Sequence, residues 1–158
     1  MRSFVERRRY LQSVDDMTRD KRSGPKTTPL TVAQSRVHFT KATQFLRSAE
    51  AALKAGDFDA AGANAVLVAV NAADCVCGLV LGNRWGGAHE QASAHVAKAG
   101  ESGKSIAVQL RKTLRKKSQA HYEAVPLTSK EGTDMVVAAR RALGSAAYEM
   151  ARVDARQT

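Results

Sequence analysis

The chain is poor in the residues that cross-link or punctuate small folds: its 158 residues include two cysteines, three prolines and 5% aromatics. The cysteines, Cys75 and Cys77, point to nearly opposite sides of any helix, which excludes a mutual disulfide there and argues against a metal pair. They read as small buried apolar residues. No run alternates apolar and polar residues with period two, so no sheet is expected. The opening MRSFVERRRY lacks an apolar core of signal-peptide length, and a cytoplasmic location is expected. Cofactor motifs are missing too. Gly103, Lys104 and Ser105 imitate the end of a phosphate-binding loop, but Lys98 stands where that loop needs glycine. His89 and His95 have no acidic or thiol partner in helical register, so neither a metal nor another cofactor is expected. Nucleophile elbows and convincing carboxylate pairs are also absent.

What is present is a chain that is 44% hydrophobic, rich in alanine and strongly basic, with net charge +10 and pI near 10.1. Its length suits one core of four or five helices, and its charge favours a polyanionic partner, either nucleic acid or an acidic protein surface. The organising stretch runs from Asp59 to Gly82, DAAGANAVLVAVNAADCVCGLVLG. Its apolar residues circle the helix instead of forming one stripe, so other helices must surround it. Asn64, Asn71 and Asp74 fall in one quadrant at about 100° per residue. Asn71 and Asp74, near the middle, are costly in lipid, so a membrane span is not expected.

Residues 1–31 read as a basic arm and linker, with Arg2, Arg7, Arg8 and Arg9 near its start and Gly24, Pro25 and Pro29 near its end. A short helix over Phe4–Leu11 is compatible with the arm. Residues 32–155 read as the helical body. The first helix should span Val32–Ala55, with Thr31 as N-cap and Gly56 closing it. Ala42, Phe45, Leu46, Ala49, Ala52 and Leu53 commit one face to the core. Asp57 or Asp59 can cap the central helix after a turn so short that the two helices must run antiparallel. A third helix over Ala88–Ala99 and a long fourth over Lys104–Ala124 follow, the latter stopped by Pro126. Thr128 and Glu131 make a capping box for a fifth helix, whose seam is Val136, Ala139, Leu143, Ala146, Met150 and Val153. Trp85, among glycines, reads as a core plug or loop anchor.

The fourth helix carries the functional signal. Between Ser102 and Tyr122 lie Lys104, Arg111, Lys112, Arg115, Lys116 and Lys117 and not one acidic residue. Uncompensated like charges destabilise a helix by a few tenths of a kcal/mol per pair, which makes a merely solvated face a less comfortable explanation, though it stays open beside nucleic-acid binding. Arg111, Lys112, Lys116 and Lys117 are therefore candidate nucleic-acid contacts. Arg115 and Tyr122 share a face with Arg111, whereas His121 sits roughly 120° from Arg115. A second copy packed antiparallel could place the arginine of one chain opposite the histidine of the other.

The order of AEAALKAGDFDAAGANAV, NAADCVCGLVLG, GGAHEQA and LRKTLRKKSQAHYEAVPLTSKEG resembles the HEPN domain, in particular its small actinobacterial members with a KxxAHY core. The resemblance spans about residues 38–153. It implies an all-α, up-and-down HEPN-like bundle of four to five helices that commonly forms a homodimer. It also implies either a metal-independent endoribonuclease of a toxin-antitoxin or defence system, or a non-catalytic RNA- or nucleotide-binding module. A nucleotidyltransferase antitoxin is among the partners it implies. The family's signature, an arginine followed at loose spacing by a histidine and often a tyrosine, falls on Arg115, His121 and Tyr122. In the best-formed toxin version the histidine lies two residues before the tyrosine; here Ala120 holds that position and His121 directly precedes Tyr122. The implied chemistry is attack of a ribose 2′-hydroxyl on the adjacent phosphate. His121 would be general acid or base and Arg115 the phosphate clamp, with Asn71 or Asp74 orienting the histidine and Tyr122 stacking a base or donating to phosphate.

Overall fold

The computed structural model describes residues 26–157; the basic arm, including the helix expected over Phe4–Leu11, lies outside them. The described residues form an all-α bundle with one very small sheet. In chain order the elements are β1 (Thr27–Pro29), α1 (Val32–Ala55), α2 (Phe58–Leu81), β2 (Asn83–Trp85), α3 (His89–Val96), α4 (Gly100–Leu114), α5 (Lys117–His121) and α6 (Ser129–Ala155).

α1 begins where the Thr31 hydroxyl accepts from the Gln34 N–H and the Gln34 side chain accepts from the Thr31 N–H, a reciprocal capping box. Gly56, at φ 83, closes it in the left-handed region that glycine enters at little cost. The α1 residues that are fully enclosed are Ser35, Ala42 and Ala49, a seven-residue spacing of small side chains. Opposite them Ala61 and Ala65 are also fully buried, so the two long helices run back to back at close range.

α2 is the axis. Its mean hydropathy of 1.9 over the most apolar window would suit a membrane span by composition alone, yet Val66, Val68, Ala69, Ala72, Cys75 and Val76 are enclosed by neighbouring helices. One core cluster gathers its C-terminal half with Val96, Ile106, Leu110, Ala142 and Ala146. A second gathers its N-terminal half with Ala42, Ala49, Leu127, Met135, Val136 and Leu143. Each fully buried Val, Leu or Ile contributes about 1.5–3 kcal/mol, and α2 supplies the middle of both clusters. Both thiols are free and buried, and burial pushes them up to about 12.

The absence of a sheet, expected from the sequence, is corrected. β1 pairs antiparallel with β2, Thr27 opposite Trp85, Thr28 opposite Arg84 and Pro29 opposite Asn83. Strands of three residues are too short to show alternation, and Pro29 fits because it lies on an edge. The Leu30 N–H donates to Gly82 O at 2.9 Å, and Leu30 packs over Gly78, where any Cβ would meet the Ser35 hydroxyl. Residues 26–31, read as linker, are thus held against the body.

The long fourth helix is corrected too. α4 starts at Gly100, not Lys104, and ends at Leu114; Lys116, at φ −107 and ψ 4, interrupts the helical path before the short α5. Neither glycine nor proline causes the break. Uncompensated cations weaken the helix here, the Thr113 hydroxyl donates back to Leu110 O at 2.9 Å, and Lys116 reaches Glu131 on α6 at 2.7 Å. The turn lays Ala120 and Leu127 over Gly62 of α2, a position where a Cβ would collide with Leu127. Asp59, one of two expected caps for α2, instead accepts from the Leu127 N–H at 2.8 Å; Asp57 holds the cap position without a side-chain bond. α6 carries the expected capping box between Thr128 and Glu131. α3 is shorter than expected, ending at Val96 before turns that lead through Ala99. Trp85 is a loop anchor: its indole N–H donates to Ala88 O at 2.8 Å and its ring lies against Gly87.

Candidate nucleic-acid interface

α4 buries Ile106, Ala107, Leu110 and Thr113 and turns Lys104, Val108, Arg111 and Lys112 outward, with Arg115 exposed at the position that caps its end. The helix period therefore separates an apolar face, fixed against α2 and α6, from a cationic one. Arg111, Lys112 and Arg115 have no acidic partner among the described residues. Lys116 differs from the other basic candidates. Its ammonium is held by Glu131 at 2.7 Å and by the Gln119 amide oxygen at 3.1 Å, so much of its charge is answered within the fold. The same contact, with bonds from Thr128, holds the Glu131 carboxyl down to about 2. Lys117, at the start of α5, is half-buried.

Grooves flank the ridge on both sides. Between α4 and α6 runs one of about 520 Å³, lined by Gln109, Lys112, Arg115, Lys116, Glu131, Asp134, Met135, Val137, Ala138 and Arg141. Between α3 and α4 runs another of about 410 Å³, lined by Glu90, Ser93, Val108, Arg111, Lys112, Leu114 and Arg115. Lys112 and Arg115 line both, so they form the crest between two hollows. One residue lining each hollow has a side-chain polar atom that is enclosed and without a hydrogen-bond partner among the described residues: Gln109 Oε1 beside the first and Ser93 Oγ beside the second. Such atoms are rare because leaving them unpaired costs free energy. Sequence reasoning missed Gln109, Ser93 and Arg141. Only Arg141 leaves a trace in the sequence, as a cation on the solvent side of the α6 seam.

The remaining site residues are distributed as follows. His121 and Tyr122 stand exposed at the end of α5, their rings 5.5 Å apart between centroids. Asn71 and Asp74 are not beside them within one chain. Ala120 sits over Gly62, and at 1.5 Å per residue Asn71 and Asp74 lie about 14 and 18 Å further along α2. Their polarity is taken up by α1 and β2 instead. Asn71 Oδ1 lies 2.9 Å from His38 Nδ1, and its amide N–H donates to Leu67 O at 2.8 Å. Asp74 Oδ2 lies 3.9 Å from His38 Nδ1 and 3.8 Å from an Arg84 nitrogen. Burial pushes the Asp74 carboxyl above the usual range, opposed by His38, Arg84 and His89. Asn64, third member of the seam, donates back to Ala60 O at 2.9 Å. The seam is therefore a packing junction among α1, α2 and β2, apart from the cationic crest.

Among the described residues no group of three or more His, Cys, Asp or Glu side chains is arranged to hold a metal ion. Compared with known proteins, the chain matches no family model, no curated protein and no solved structure.

Proposed function

We propose that this chain is an RNA-binding helical bundle of the HEPN type, cytoplasmic, which takes single-stranded RNA along the crest formed by Arg111, Lys112 and Arg115. The observation that carries the reading is this run of exposed cations, unanswered by acidic side chains among the described residues and flanked by two grooves. A solvated face of comparable charge ordinarily intersperses both signs; here Lys116 alone of the α4 end is neutralised. Phosphates settle on such a crest by releasing counterions, and the hollows beside it can receive unstacked bases.

Scission is the second reading. It is favoured by the exposure of His121 and Tyr122 immediately beyond the crest, on the far side of the break at Lys116. Arg115 would then hold the phosphate while His121 moves a proton to or from the ribose 2′-hydroxyl. Pairing of two copies through the α4–α5 face would bring the arginine of one chain to the histidine of the other, and a nucleotidyltransferase would be the partner class for a toxin of this kind. Purified protein incubated with end-labelled RNA in EDTA separates the readings. Cleavage that disappears in Arg115→Ala and His121→Ala supports scission. Retention without cleavage, weakened by Arg115→Ala and by salt, supports binding alone; no retention overturns both.

A further inference from the structure

The two hollows beside the crest differ in the charge on their far walls. Opposite α4, the hollow between α3 and α4 is walled by Glu90 and Ser93. Glu90 is exposed and has no cationic partner among the described residues. Every cation of that hollow stands on α4 or at its end and faces this carboxylate. The far wall of the groove between α4 and α6 carries Glu131, Asp134 and Arg141 instead. Both of its carboxylates are already engaged, Glu131 by Lys116 at 2.7 Å and Asp134 by Lys130 at 2.5 Å. Arg141 is exposed and has no acidic partner among the described residues. Of the two hollows, only this one presents unanswered positive charge from both walls.

Helix register sets how those charges are spaced. The Ser105 and Ser145 hydroxyls share a hydrogen bond of 2.9 Å, and the Lys116–Glu131 pair closes the other end, so α4 and α6 run antiparallel. At 1.5 Å per residue from the serine pair, Arg141 lies about 6 Å along the groove, Lys112 about 10 Å and Arg115 about 15 Å. Packed helices stand about 8–10 Å apart between axes, a width that long cationic side chains can span. A single small anion needs only one of these positions, whereas positive charge repeated along a line answers a chain of phosphates.

We infer that the sugar–phosphate backbone of the RNA lies in the groove between α4 and α6, where Arg141 supplies a third phosphate contact beside Lys112 and Arg115. The inference deepens the RNA-binding reading and rests on it. The hollow between α3 and α4 is excluded as the path of the backbone, because phosphates there would pass the unanswered carboxylate of Glu90.

The test is equilibrium binding of full-length protein to fluorescein-labelled octauridine between about 50 and 200 mM salt. Three variants are compared with wild type: Arg141→Ala, Glu90→Lys, and Lys41→Ala as an equal loss of charge on α1, which lines neither hollow. Arg141→Ala should bind severalfold more weakly at low salt. Losing one contact lowers the steepness of log K against log salt by about 0.7 on a single strand, so its fall in affinity across this range should be about 2.5-fold smaller than that of wild type. Lys41→Ala and Glu90→Lys should both keep the wild-type slope. Salt-sensitive binding with an Arg141→Ala slope equal to that of wild type, or lowered no more than in Lys41→Ala, overturns the assignment and leaves RNA binding standing. A steeper slope in Glu90→Lys also overturns it, since the backbone would then run between α3 and α4. No binding by the wild type at low salt overturns the RNA reading together with the groove.

Discussion

Replacing Gly103 by alanine and replacing Gly144 by alanine should move stability in opposite directions, though both glycines lie within helices. Alanine exceeds glycine by up to about 1 kcal/mol in helix propensity. At Gly144, on the exposed face of α6, an added Cβ meets nothing within 4 Å, so Gly144→Ala should keep that gain. At Gly103 the added Cβ would lie on the carbonyl oxygen of Val96 and 2.9 Å from the Ala99 Cβ. Neither neighbour can rotate away, since one is backbone and the other has no further torsion. Overpacking of this kind costs about 1–3 kcal/mol, and a backbone obstacle argues for the upper end, leaving a net loss of about 2 kcal/mol. The two variants should therefore differ by about 3 kcal/mol, more than a hundredfold in the folding equilibrium. Urea denaturation of the full chain measures it, with an unchanged m-value as the sign that the same unfolding transition is read. The contact is what seats α3 against α4 and so fixes the position of the cationic crest. If Gly103→Ala proved as stable as Gly144→Ala, the close approach of α3 and α4 would be refuted.

Further expectations follow from single contacts. Asp59→Ala removes the acceptor for the Leu127 N–H and should cost about 1–3 kcal/mol in urea denaturation; no loss would mean that water replaces the carboxylate. Because Glu131 is held down to about 2 from an ordinary 4.5, the unfolded chain binds more protons between those values. Its contribution is thus complete above pH 4.5 and lost as pH falls toward 2. Stability curves of wild type and Glu131→Gln should converge over that window, and parallel curves would contradict the ion pair with Lys116. Cys75 and Cys77, pushed up to about 12 by burial, should resist a thiol reagent at pH 8 until urea unfolds the chain. Rapid native-state modification would show that the α2 core is open.

Much of the architecture was legible because local signals decided it. Thr31, Gly56, Thr128 with Glu131, and the unbroken apolar surface of α2 marked helix ends and the buried axis without help from tertiary contacts. The sheet was not legible, because β1 and β2 are held by the Gly82 turn and by Leu30 seating on Gly78. The break at Lys116 was hidden for a similar reason: its cause is a reach to Glu131, fifteen positions away. For the candidate site, the bare charge of Arg111, Lys112 and Arg115 could be read directly, since charge needs no partner to be seen. The grooves could not, because α3 and α6 supply their far walls. The polar seam was read correctly as a seam, but its partners His38 and Arg84 come from other elements and carry no helical register with it.

The central claim is that the crest meets RNA phosphate, and salt-dependent affinity tests it most directly. Binding of a labelled single-stranded RNA should be measured from about 50 to 200 mM salt for wild type and for Lys112→Ala with Arg115→Ala. Each lost phosphate contact lowers the steepness of log K against log salt by about 0.7 on a single strand, so the double variant should bind more weakly with a slope shallower by about 1.4. An identical slope and affinity in the double variant, or no measurable binding by the wild type at the lowest salt, would contradict it.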